Sequence, residues 1–208
     1  MEVQESQQPT HVPDFELTEE ALVMMREQRR AVAEQALQLQ GRHEANRDAA
    51  QQAANRLGGV HAAINTQAKA LREKLDQERA ETLDSAVEAL AEGKEFGFSG
   101  VSSPALKAEL EGLMLVLSDV AERRMPATRR ALAAAEIEVL ESQGAAMLRV
   151  ADFRSAEALR LGIEAAKFEG GRNISSALPD DGKTASLRRE GRGLIEQADA
   201  RRRALDRQ

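Results

Sequence analysis

Large aromatic and reactive side chains are scarce in this sequence of 208 residues. It has no cysteine, no tryptophan and no tyrosine, and only five phenylalanines. Without cysteine the chain can form neither disulfides nor thiolate metal sites. Without large aromatic groups it lacks side chains that usually fill the core of a compact domain. These absences argue against an ordinary globular enzyme.

The sequence also lacks the marks of a membrane or secreted protein. No stretch approaches the roughly 20 consecutive apolar residues that a transmembrane helix needs. The first twenty residues contain six acidic residues and no lysine or arginine, the opposite of the basic start of a signal peptide. We therefore expect a soluble protein without a membrane partner, either cytoplasmic or incorporated in a virus-like particle.

Alanine and charged residues dominate instead, with 37 alanines and 31% charged residues. This composition is typical of long helices and coiled coils. A seven-residue repeat runs through the first half of the chain and predicts a long helix over residues 18–92. One position of the repeat is occupied by Leu22, Arg29, Ala36, His43, Ala50, Leu57, Ile64 and Leu71. The companion position, three residues later, holds Met25, Val32, Leu39, Asn46, Ala53, Val60 and Gln67. After these repeats the apolar stripe is expected to shift to Leu75, Leu83, Val87 and Leu90.

A second long helix is predicted over residues 104–169. Ser103 suits the N-cap and Pro104 the first helical position, where its missing N–H does no harm. Pro126 lies inside this helix and should make it kink or restart.

The remaining segments separate or flank the two helices. Residues 1–17 are expected to form a flexible acidic lead-in, and residues 93–103 a turn. Residues 170–208 are expected to form a loop and a basic amphipathic tail, with a short helix that Gly191 and Gly193 weaken.

The predicted fold is therefore all-α, a long antiparallel helical hairpin or coiled coil with flexible termini. The alternative breaks both arms, at Gly58–Gly59 and near Pro126, and folds them into a four-helix bundle. Counting residues back from the turn places Gly58 near residue 138. The two weak points would then be out of step, which favours the hairpin.

Phe96 and Phe98 stand out because they lie in the glycine-rich turn of a chain with few aromatic residues. In an extended segment, residues two apart point to the same side. One interpretation is that the rings cover the end of the hairpin. The other is that they anchor a partner protein, as aromatic residues often do in interfaces.

His43 and Asn46 are polar residues at stripe positions, where they predict control of register or oligomeric state. A metal site is not expected, because His43 and His61 are eighteen residues apart and lie about 27 Å from each other along one helix. A site shared between chains is the remaining metal hypothesis.

No catalytic motif emerges from the sequence. Residues 177–184, ALPDDGKT, resemble the end of a phosphate-binding loop, but the first glycine and the preceding strand are missing. Acidic pairs such as Glu136 and Glu138 are more simply solvated helix faces. We expect neither an enzyme, nor a cofactor, nor a small-molecule substrate.

The C-terminal tail carries seven arginines among four acidic residues. Its arginines are Arg188, Arg189, Arg192, Arg201, Arg202, Arg203 and Arg207. They could contact nucleic acid phosphates. Docking on protein is favoured, because arginines alternate with acids and no aromatic residue is available for base stacking. The acidic lead-in is a further candidate to neutralise this tail.

The functional prediction is a non-enzymatic coiled-coil structural or assembly protein. Its alanine-rich stripe buries little area per turn, so further helices are expected to complete the packing. The expected partners are copies of itself and other proteins of a large particle, such as a virion structural or scaffold protein or a secretion-apparatus stalk. The alternatives are a nucleic-acid-associated regulator that uses the basic tail and a helical chaperone or adaptor that binds one client helix.

Overall fold

The computed structural model of the chain describes residues 18–95, 97, 103–168 and 182–207. It contains helices α1 (Glu19–Ala91), α2 (Pro104–Asp119), α3 (Met125–Phe168) and α4 (Gly182–Leu205), with a π-helical turn (Val120–Arg124) between α2 and α3. No strand occurs in these described ranges. The all-α prediction is confirmed. The predicted lead-in, residues 1–17, lies outside the described residues.

The chain divides into two compact units. Unit 1 comprises residues 1–38 and 143–193, and unit 2 comprises residues 39–142 and 194–208. In unit 1, Arg26 of α1 pairs with Glu157 of α3, while Arg29 reaches Asp152, so the two segments run antiparallel.

Unit 2 is an antiparallel helical hairpin, as predicted. Its contacts join α1 to the returning helices, from His43 and Glu138 to Arg72 and Met114. As the residue number rises on α1, the number of its partner falls, which is the mark of antiparallel helices.

Half of the predicted contact stripe of α1 is correct. The first set of positions faces inward, as Leu22, His43 and Leu71 are buried or half-buried. The companion set three residues later does not, because Leu39 and Val60 are exposed.

The inward companion positions lie four residues after the first set. Ala33 and Ala68 are buried there, and His61 is half-buried. A seven-residue repeat allows the second contact position to follow after three residues or after four. In this chain it follows after four residues. Arg26, four residues after Leu22, accordingly contacts Glu157 of α3.

The predicted shift of the stripe agrees with the half-buried Leu75. It is wrong for Leu83, Val87 and Leu90. These side chains are exposed, and Ala86 is buried in their place. The inward face of this part of α1 is formed by Thr82, Ala86 and Ala89, and the three large apolar residues lie beside it.

The two arms of unit 2 are also offset. Ser103, the residue before α2, donates its backbone N–H to Glu78 at 3.1 Å, so no residue of α2 lies opposite the end of α1.

The glycine pair Gly58–Gly59 does not interrupt α1, which is one continuous helix of 73 residues. The paired residue numbers add to 181 for His43 with Glu138 and to 186 for Arg72 with Met114. Gly58 therefore lies opposite about residues 123–128, not near residue 138 as predicted.

Gly58–Gly59 and Pro126 therefore lie opposite each other in unit 2. The chain nevertheless stays helical at both positions. Pro126 cannot donate to the carbonyl four residues earlier, and its ring crowds that carbonyl. The π-helical turn Val120–Arg124 ends just before Met125 and widens the backbone there. The irregularity predicted at Pro126 is therefore a local π turn, and the four-helix alternative is not adopted by unit 2.

Helix α4 is longer than predicted, with 24 residues that begin at Gly182. Gly191 is buried in unit 1, and a Cβ atom added to it would lie 2.8 Å from the backbone oxygen of Gly144. The glycine expected to weaken this helix is therefore the point where α4 approaches α3 closely. In unit 2, α4 continues with Ala198 fully buried.

Candidate protein-binding site

The overhang of unit 2 is the end of α1, residues 79–91, that extends beyond the start of α2. Its three large apolar residues recur at spacings of four and three, with exposed fractions of 45% for Leu83, 67% for Val87 and 57% for Leu90. Side chains with this spacing lie on one side of a helix. The overhang therefore presents an apolar stripe to solvent.

Local chemistry fixes the end of the overhang at Gly93. This glycine has a φ of 72°, which only glycine adopts readily. The N–H of Lys94 donates to the carbonyl of Ala89 at 2.9 Å, and that of Gly93 donates to Leu90 at 3.1 Å. The two bonds form a Schellman motif that ends the helix.

The start of α2 is fixed by Pro104 at its first turn, as predicted. Ser103 occupies the N-cap position, but its side chain makes no capping hydrogen bond. Glu78 of α1 instead accepts the N–H of Ser103. Phe96 and Phe98 lie in the connection between these two points and outside the described residues, so their role stays a prediction.

Helix α2 is a second apolar surface of unit 2. None of its residues is buried, although five consecutive apolar residues run from Leu113 to Leu117. Leu115 is 74% exposed and Val116 is also exposed. Over this run the helix presents apolar side chains on every side, and such a surface normally has neighbours.

His43 and Asn46 have different environments in unit 2. The half-buried His43 Nδ1 lies 3.1 Å from Glu138 Oε2, so this residue contributes a polar contact between α1 and α3. Asn46 is exposed. It belongs to the companion set that faces away from α3, and its predicted role in register or oligomeric state stays a prediction.

Part of the basic tail is neutralised by acidic residues of α3. In unit 2, Arg202 Nη2 donates to Glu141 Oε2 at 2.7 Å, and its Nη1 lies 2.7 Å from Oε1 of the same carboxylate. Arg201 lies 3.6 Å from Glu136. The hydrogen bond to Glu141 and the charge of that residue raise the pKa of Arg202 above its ordinary value. Arg203 binds the backbone oxygen of Asp199.

The remaining arginines of the tail lie in unit 1, except Arg207. Arg188 donates to the hydroxyl of Ser155 at 2.9 Å and lies 3.4 Å from Asp152. Arg189 and Arg192 are exposed on α4, as is Arg207 near its end. In its described part the tail is therefore helical, with some arginines beside acidic residues of α3 and others turned to solvent.

Glu157 lies at the centre of an ion-pair network in unit 1. Its partial burial acts to raise its pKa, but hydrogen bonds from Arg26 and Arg160 act in the other direction. Together with the charges of the two arginines they hold the pKa of Glu157 below its ordinary value. Arg160 also pairs with Glu164 at 2.5 Å. The network ties α1 to α3.

Other kinds of site find no support in the part of the chain that the structure describes. No group of three potential metal ligands occurs there. Among the same residues, no helix combines the length and apolarity needed to cross a membrane. The first turn of α4 contains the last three residues of the stretch that resembles a phosphate-binding loop, Gly182, Lys183 and Thr184. Residues 177–181 of that stretch lie outside the described residues. Comparisons with protein-family models, curated protein sequences and solved structures found no match.

Sequence reasoning missed the overhang because it assigned Leu83, Val87 and Leu90 to the buried stripe. The unbroken apolar run Leu113–Leu117 was the available signal for α2, since one helix face cannot hold five consecutive residues. No local signal predicts the arginine network of unit 1, whose members are distant in sequence.

Proposed function

We propose that this protein is a non-enzymatic structural component that assembles with copies of itself or with other helical proteins. The observation that carries the proposal is the overhang, where Leu83, Val87 and Leu90 are exposed with no residue of α2 opposite them. Apolar residues at i, i+4 and i+7 are the usual anchors of a helix that packs into a groove of a partner. Covering each would contribute on the order of 1 kcal/mol.

The exposed run of α2 supports the same function. Unit 2 carries two exposed apolar surfaces, one on the overhang and one on α2. Large exposed apolar patches in soluble proteins mark interaction sites or aggregation liabilities. A particle component of the virion, scaffold or secretion-stalk kind would cover both surfaces in its assembly.

A chaperone or adaptor is the second candidate, because a client helix could cover the overhang in place of another copy. The nucleic-acid alternative is weaker. Arg188, Arg201 and Arg202 each lie near an acidic residue of α3, which reduces the positive charge available to phosphates.

The mass of the full-length protein in solution tests the proposal. We expect light scattering to give a discrete homo-oligomer whose population rises with protein concentration. A monomer that forms a one-to-one complex with a single helical client would favour the adaptor. A monomer at all concentrations that binds no helical partner would overturn the proposal.

A further inference from the structure

Unit 1 contains a cleft of about 380 Å³ that the proposed assembly function does not use. It is lined by Gln28, Arg29 and Val32 of α1 and by Arg149 and Asp152 of α3. Its volume falls within the range of roughly 300–1,000 Å³ that small-molecule sites occupy.

Positive charge exceeds negative charge around the cleft. Arg29 donates to the backbone oxygen of Asp152 at 3.2 Å, and no carboxylate of the described residues pairs with it. Arg149 lies 3.9 Å from the carboxylate of Asp152, and Arg188 lies 3.4 Å from the same group. Two guanidinium groups, those of Arg149 and Arg188, therefore share the carboxylate of Asp152, and Arg29 binds only a backbone oxygen of the same residue.

An acidic residue that neighbours the cleft in sequence, Glu34, is paired with another arginine, Arg30. Glu157, another acid of unit 1, already forms ion pairs with Arg26 and Arg160. Among the described residues that line the cleft, Asp152 is the single acid beside Arg29 and Arg149.

The arrangement of the lining suits a carboxylate. Arginine donates two parallel hydrogen bonds to a carboxylate, and such charge-assisted bonds are about twice as strong as neutral ones. Arg149 is 57% exposed, so its guanidinium can turn towards a ligand at little cost. Gln28 adds neutral donors, and Val32 adds an apolar wall.

We propose that this cleft binds a carboxylate group through Arg29 and Arg149. The carboxylate is carried either by a small polycarboxylate or by the acidic side chains of residues 1–16 of this chain. The two sources share the chemistry that the arginines recognise and differ in whether the ligand is free.

Calorimetric titration of the full chain with citrate at low ionic strength tests the site. We expect saturable binding with one citrate per chain. Arg149→Gln should weaken it by about 10-fold or more, because a charge-assisted bond is lost. The matched control is Arg30→Gln, which removes the same charge from an exposed residue paired with Glu34 on its own helix. The control should stay within about 2-fold of the unchanged chain.

A second variant distinguishes the two sources of the carboxylate. It carries amides in place of Glu2, Glu5, Asp14 and Glu16 in the full chain. A several-fold rise in citrate affinity would assign the site to the chain's own acidic residues, and an unchanged affinity would assign it to a free ligand. The proposal is overturned if neither the original chain nor this variant binds citrate saturably. Equal losses in Arg149→Gln and Arg30→Gln would also overturn it.

Discussion

The buried face of α3 and the overhang of α1 use apolar residues in opposite ways. The buried residues of α3 include Ala146, Ala151 and Ala156, whereas Leu83, Val87 and Leu90 of the overhang are exposed. Small residues let neighbouring helices approach closely, which places them in contacts within the chain. In the overhang, too, the buried residue is an alanine, Ala86. Alanine therefore forms the contacts within the chain in both regions, and the large apolar residues of the overhang lie outside those contacts.

The largest effect on stability is expected where α4 approaches α3 in unit 1. Gly191→Ala would place a methyl group 2.8 Å from the backbone oxygen of Gly144, so the helices must move apart. We expect the free energy of unfolding to fall by about 1–3 kcal/mol, the usual cost of overpacking. Urea unfolding followed by circular dichroism at a fixed protein concentration measures it.

Gly193→Ala is the matched control for this substitution. A Cβ atom at Gly193 would have no neighbour within 4 Å, so alanine should leave stability unchanged or raise it by up to about 1 kcal/mol. Equal effects of the two substitutions would contradict the close approach of α4 to α3.

A gain of stability is expected at the glycine pair of α1. Both glycines have helical neighbours, no positive φ and open space around an added Cβ atom. Replacing Gly58 and Gly59 by alanine should raise the free energy of unfolding by up to about 2 kcal/mol, since each alanine favours the helix by about 1 kcal/mol. Thermal unfolding measures the change, and a loss of stability would show that α1 breaks there.

A smaller effect is expected from the ion-pair network of unit 1. The pKa of Glu157 is lowered in the folded protein, so its contribution is present above about pH 4.5 and is lost as the pH falls through the lowered pKa. Glu157→Gln should therefore destabilise at neutral pH, with a difference that shrinks in acid. Urea unfolding between pH 7 and pH 3 measures the difference.

Glu34→Gln serves as the control for the pH series, because Glu34 pairs with Arg30 on an exposed face of the same helix. Its effect on stability should be within about 0.5 kcal/mol at every pH. A difference for Glu157→Gln that is constant across the pH range would contradict the assigned pKa shift.

The smallest effect on the isolated fold is expected in the connection after the overhang. If Phe96 and Phe98 anchor a partner, changing both to serine should leave the melting temperature nearly unchanged but reduce incorporation into the native assembly. A stability loss of a few kcal/mol with normal incorporation would instead assign the rings to the hairpin end.

The helix ends were predictable, because they depend on local residues. Gly93 permits the positive φ that ends α1, and Pro104 suits the first turn of α2. The sequence therefore predicted a first helix over residues 18–92, close to the observed Glu19–Ala91.

The register of the helices was not predictable from the repeat alone. A seven-residue repeat on one helix does not determine whether the second contact position follows after three residues or after four. The offset between α1 and α2 depends on the contact between Glu78 and Ser103, which are distant in sequence. The arginine-rich cleft and the close approach at Gly191 likewise arise from residues that are distant in sequence.

The most direct test of the account is the oligomeric mass of Val87→Lys, beside Met24→Lys as a control. Both side chains are strongly exposed on α1, at 67% for Val87 in the overhang and 71% for Met24 in unit 1. Each new lysine has an acidic residue three positions away, Asp84 or Glu27, that can pair with it. If the overhang is the association surface, Val87→Lys should lower the mass measured by light scattering towards that of the monomer, while Met24→Lys keeps the original mass. An unchanged mass for Val87→Lys, or the same loss in both variants, would contradict the account.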